Sequence, residues 1–145
     1  LAAWLDDIDK QLKWGMKLKP AYLKPHGAFY HDTQSPGPAA DRLGALLKQW
    51  KLPLMGYPGT HHEAIAVHGF IREGFADRGL DEAGRLIPRG QPGAILSAEA
   101  AAAQAVWLAE RVDSICLHGD REDILEVAPR VRAALEDAGY QVTAP

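Results

Sequence analysis

Asparagine is absent from the 145 residues, and cysteine occurs once, at Cys116. Without asparagine there is no N-glycosylation acceptor, and a single thiol closes no internal disulfide, so a reducing cytoplasm fits best. Neither sign of charge dominates: 16 Lys and Arg stand against 19 Asp and Glu, a formal net charge of -3, which argues against non-specific nucleic-acid binding. The longest apolar stretch, residues 94–109, is broken by Ser97, Glu99 and Gln104 and stays short of the roughly 18 clean residues of a membrane span, so no membrane association is expected. No basic segment precedes the first amphipathic pattern, which predicts no signal peptide; starting at Leu1 without Met, the chain reads as a fragment of something longer. No glycine-rich stretch matches a phosphate-binding loop or a dinucleotide fingerprint. His62-Glu63-Ala64-Ile65-Ala66 lacks the second histidine of the zinc-binding H-E-x-x-H pattern, and no metal is expected in this chain.

What is present, 47% hydrophobic and 24% charged residues, bounds one compact domain over residues 1–145 and excludes disorder. Leu1, Trp4, Leu5, Ile8 and Leu12 recur at helical spacing, as do Ala40, Leu43, Leu46, Leu47 and Trp50. Short apolar runs predict strands at 21–24, 52–55, 70–76, 114–117 and 140–142. Thr60-His61-His62-Glu63 has capping-box spacing and predicts a helix to about His68, stopped by Gly69. The alanine-rich residues 98–111 predict another helix, and Asp120 is placed to cap a last one ending before Gly139. Strand and helix in alternation argue for a parallel α/β sheet. The polar clusters at 24–30, 73–78 and 118–120 all follow strands, so they are expected at the carboxyl edge, where such sheets place ligands.

Each cluster has a chemical and a bland reading. Lys24-Pro25-His26-Gly27 sets an ammonium and an imidazole at a strand end, suited to an anionic substrate and proton transfer, or is a solvated turn. Arg72-Glu73-Gly74-Phe75-Ala76-Asp77-Arg78 offers Glu73 or Asp77 as base or water holder, or is an ion-pair network. Arg89 and Gln91, in the loop from Pro88 to Gly93, can grip a carboxylate or phosphate, or decorate a plain surface loop. His118 and Asp120 form a possible acid/base pair, with helix capping the other role for Asp120. Cys116, in an apolar strand, reads as a packing residue.

In order, Leu23-Lys-Pro-His-Gly-Ala-Phe-Tyr30, Arg72-Glu-Gly-Phe-Ala-Asp-Arg78, Gly84-Arg-Leu-Ile-Pro-Arg-Gly-Gln-Pro-Gly-Ala94 and Ile115-Cys-Leu-His-Gly-Asp120 resemble the LamB/YcsF family. The resemblance implies the A subunit of a prokaryotic 5-oxoprolinase, which opens the 5-oxoproline (pyroglutamate) lactam to glutamate at the expense of ATP, together with partner subunits B and C. It also implies an α/β, (β/α) barrel-like fold of seven strands, similar to the glycoside hydrolase/deacetylase type, here as its C-terminal two thirds. On that basis Lys24, Arg78 and Arg89 would bind carboxylate and phosphoryl oxygens, with Tyr30 and Gln91 as further substrate contacts. Glu73 or Asp77 would position water, His26 or His118 would move protons, and Asp120 would complete the set. ATP with its magnesium would be handled with the partner subunits.

The chain departs from the family pattern. Family members run to roughly 250 residues, a one-domain size for a barrel. Their D-L-N-x-D-x-G-E strand, N-I-A-C-G-F-H-A-G-D segment and G-A-H-P-S-like turn have no counterpart here. Gly90 stands where Ser is usual, Phe29-Tyr30-His31 replaces Leu-Tyr-Asn, and the connection from Trp107 to Ser114 is short. Missing strands would leave a sheet edge open, which predicts an oligomer or strand-exchanged dimer. Two competing readings are a silent binding or scaffold remnant and a metal-dependent, deacetylase-like hydrolase.

Overall fold

The computed structural model describes residues 2–144, and side chains from Asp7 onward except that of Asp9. Leu1 therefore lies outside the described residues, as do the side chains of Trp4 and Leu5 that begin the first helical pattern. Helices α1 (Ala2–Gly15), α2 (Gly27–Asp32) and α3 (Pro38–Trp50) are followed by strand β1 (Leu54–Gly56), helix α4 (His61–Ile65) and strand β2 (Phe70–Phe75). Helix α5 (Ala98–Ala109), strand β3 (Ser114–Cys116) and helix α6 (Ile124–Asp137) complete the order. The chain divides into two compact units, Leu1–Arg72 and Glu73–Pro145.

In the first unit β1 pairs in parallel with the first half of β2, Leu54 opposite Phe70 and Gly56 opposite Arg72. Leu43 and Leu47 of α3 pack with Leu52 and Leu54, the helical and strand periods meeting in one apolar cluster. The strand expected at 21–24 is reduced to one parallel bridge, Leu23 to Leu54, because prolines on both sides remove donors and restrict the backbone. α4 stops at Ile65, three residues before the expected end. Its start keeps the capping logic with shifted partners: the His62 N–H donates to Thr60 Oγ1 at 3.4 Å and the Gly59 N–H to Glu63 Oε1 at 2.9 Å.

A polar network is buried in this unit. His62 and Thr33 are both fully buried. The Tyr57 N–H donates to His62 Nδ1 at 3.1 Å, which assigns the ring proton to Nε2, 2.8 Å from Thr33 Oγ1. The Thr33 hydroxyl passes the chain on to the Phe29 carbonyl at 2.8 Å. Burial, with a smaller repulsion from His61, lowers the His62 pKa to about 4. Gly56 is required beside it, since a Cβ there would lie 2.6 Å from His62 Nδ1.

In the second unit the rest of β2 pairs in parallel with β3, Glu73 opposite Ser114 and Phe75 opposite Cys116. Ala101, Ala102 and Ala105 of α5 pack with Val127, Val131 and Leu135 of α6 as its core. α6 begins at Ile124 with Asp123 at the cap position, so Asp120 is not its cap. It ends as expected: Gly139 has φ +88, and the N–H groups of Gly139 and Tyr140 donate to the Glu136 and Leu135 carbonyls at 2.9 and 3.0 Å. The strand expected at 140–142 is irregular backbone.

Candidate active site

The register Phe75 opposite Cys116 decides the site. Two residues further along each parallel chain, on the same side of the pleat, come Asp77 and His118. The Ala76 N–H, donating to the Cys116 carbonyl at 3.1 Å, carries the pairing past the strand ends. Asp77 is 1% exposed, and its Oδ1 lies 2.9 Å from His118 Nδ1. Its Oδ2 accepts the His118 backbone N–H at 3.0 Å. The imidazole stacks on Phe75, centroids 5.5 Å apart and planes 18° from parallel. Held at Nδ1 by a carboxylate, the ring directs Nε2 away from Asp77, and its side chain keeps a quarter of its surface, 25%, accessible. This is the geometry of an oriented proton acceptor.

The expected partnership of His118 with Asp120 is corrected: His118 pairs with Asp77. Asp120 takes the Arg89 fork, at 2.7 Å from Nη1 and 3.5 Å from Nη2. The Arg89 hydrogen bond holds the Asp120 carboxyl below its usual range and raises the guanidinium in return. Both side chains are more than half exposed.

Arg78 is buried, and two of its donors go to the loop that follows, Nε to the Ala94 carbonyl at 3.1 Å and Nη2 to the Ile87 carbonyl at 2.7 Å. The residue that the resemblance implies at substrate thus also braces residues 79–94. That loop is built tightly at its base, where a Cβ on Gly79 would collide with the Gly93 carbonyl at 1.9 Å. Gln91 is exposed on the loop. Glu73 is buried inside β2 rather than at its end.

The remaining expected residues belong to the first unit. Lys24 is half-buried in a hollow with Leu23, Pro25, Phe29 and Leu43. His26 is exposed at the cap position of α2 without capping it. Tyr30 is buried, its ring edge-on to His62 at 5.1 Å. Among the described residues no three His, Cys, Asp or Glu side chains are grouped to hold a metal ion, and no helix is long and apolar enough to cross a membrane.

Two neighbours of Asp77 escape sequence reasoning. Arg121, only 8% exposed, reaches back toward Asp77. Gln104 of α5 donates its amide to the carbonyls of Phe75 at 2.7 Å and Arg78 at 2.6 Å, with Ala76 at 3.3 Å, and so fixes the backbone that carries Asp77. Its signal in the sequence is its isolation, one polar residue inside an alanine run. Gln104→Leu removes this amide from all three carbonyls and is expected to cost about 1–3 kcal/mol in urea denaturation. An unchanged midpoint would refute the buttress.

The LamB/YcsF family model matches residues 10–145. The chain is 41% identical to the A subunit of 5-oxoprolinase from Nocardia farcinica over 143 residues, covering 86% of this chain and 57% of that protein. It is 36% identical to the corresponding 5-oxoprolinase chain of Streptomyces avermitilis, with 86% of this chain and 58% of that protein covered. The crystal structure of a lactam utilization protein from Thermus thermophilus superposes with a TM-score of 0.75 at 31% identity, over 86% of this chain and 57% of that one. The chain thus spans little more than half the length of the relatives it matches.

Proposed function

Since this chain belongs to the LamB/YcsF family, we propose that it serves as part of the A subunit of a 5-oxoprolinase, opening the 5-oxoproline lactam to L-glutamate together with subunits B and C. The observation that carries the reading is the Asp77–His118 pair at adjacent strand ends. A lactam resists water because amide resonance removes the electrophilic character of its carbonyl carbon. ATP, when bound, supplies the phosphoryl group that would activate the lactam oxygen.

ATP with its magnesium is assigned to the assembly with subunits B and C. The chain's own part is proton management. His118 Nε2 takes the proton of the attacking water, and Asp77 keeps the proton on Nδ1 and faces the imidazolium that forms. The same imidazolium then returns a proton to the departing amine as the C–N bond breaks, and a second water cleaves the acyl phosphate so left, releasing inorganic phosphate and glutamate. Arg89, exchanging the Asp120 carboxylate for that of the substrate, is the proposed grip.

The test is glutamate release from 5-oxoproline with ATP and subunits B and C, with and without this chain. Release that depends on the chain supports the reading. Its absence from a folded chain replaces it with the scaffold reading.

A further inference from the structure

Asp77 has a second neighbour that none of the roles above uses. The Arg121 guanidinium is clamped on one side: Nε and Nη2 donate to the two Asp123 oxygens at 2.6 and 2.9 Å, and Nη2 also to the Leu96 carbonyl at 2.9 Å. Its remaining nitrogen, Nη1, is buried without a hydrogen bond and lies 3.8 Å from Asp77 Oδ2. A buried cationic donor left in this way is costly unless the site makes use of its field. Asp77 therefore stands between His118 on one side and Arg121 on the other. The other charged groups around the pair are Asp120, two residues on from His118, Arg89, which pairs with Asp120, and Arg78, which shares its field with Asp77 and Asp120.

We propose that Arg121 is a positioning residue that acts on His118 through Asp77. Its fixed fork confines the carboxylate so that Oδ1 stays on Nδ1–H. Without it the carboxylate would be free to turn away from Nδ1, and the ring would lose the tautomer that leaves Nε2 open to accept a proton. Asp123 sets the fork, and the Leu96 carbonyl keeps it from rotating. The inference rests on reading Asp77 and His118 as the working pair, but it concerns the tautomer of the ring and is measurable without substrate.

The experiment follows the His118 ring nitrogens by 15N NMR through a pH titration of the full chain. In Arg121→Gln the Nδ1–H tautomer is expected to be less populated than in the parent, with the Nε2–H form appearing in its place. Arg121→Lys, which keeps the charge without the fork, is expected to recover the tautomer only in part. Asp123→Asn, which loosens the fork and keeps Arg121, is expected to lower the same tautomer; this arm holds even where Arg121→Gln does not fold. A His118 tautomer unmoved in folded Arg121→Gln, or in Asp123→Asn, overturns the proposal. A chain that shifts as expected yet supports no glutamate release keeps the positioning role and overturns the lactam-opening reading alone.

Discussion

Replacing His118 with alanine is expected to lower chain-dependent glutamate release by roughly 10²–10⁴-fold, the usual range for losing a positioned proton-transfer group. The side chain is partly accessible and its ring nitrogen bonds only Asp77, so the fold should survive with little change in unfolding midpoint. Asp77→Asn should be nearly as damaging for a different reason. An amide nitrogen at the Oδ1 position would present N–H to Nδ1, favour the wrong tautomer, and leave Nε2 protonated and unable to act as a base. Because both substitutions disable one device, the double variant should be little worse than the single ones. A loss of less than about fivefold for His118→Ala in a folded, assembled enzyme would remove this residue from the chemistry.

The second large effect is on stability. His62 is neutral in the folded chain with its pKa lowered to about 4 from 6.5. A depressed histidine value means that the unfolded chain binds the proton more readily. The contribution is therefore fully present above pH 6.5, declines as pH falls through that value, and is gone below about 4. The shift corresponds to about 3 kcal/mol at most, at roughly 1.4 kcal/mol per unit. Protonation would also set a new N–H at Nδ1 against the Tyr57 N–H that now donates to it. Urea midpoints at pH 7.5 and pH 4 should thus converge in His62→Gln relative to the parent, since the carboxylates contribute equally to both chains. Identical pH dependence in the two would show that the imidazole does not govern acid lability.

Much of the fold is legible because it follows from periodicity. The apolar spacing from Ala40 to Trp50 corresponds to α3, the alanine run to α5, and Gly139 marks the end of α6 through its left-handed backbone. α2 is not legible: six residues opening on Gly27, with φ +58, give no second turn in which a period could repeat. The carboxyl-edge position of Asp77 and His118 can be read from strand order, whereas their partnership cannot. It depends on which residue of β2 faces which residue of β3, and a shift of one residue would have turned Asp77 to the other side of the pleat. Asp120 shows the converse, since its capping spacing is reasonable in the sequence and Arg89, 31 residues earlier, takes the carboxylate instead.

The alanines of α5 have an entropic consequence. Ala98, Ala101, Ala102 and Ala105 are buried, and alanine has no side-chain rotamers to lose when it is ordered. Those four positions of the element beneath Phe75 to Arg78 are therefore ordered with almost no side-chain entropy cost. Leu108, also buried, and Gln104 are the longer chains whose torsions must be frozen there. The frozen Gln104 amide touches the backbone carrying Asp77, so part of the ordering cost of α5 is placed in the side chain that aligns the candidate site.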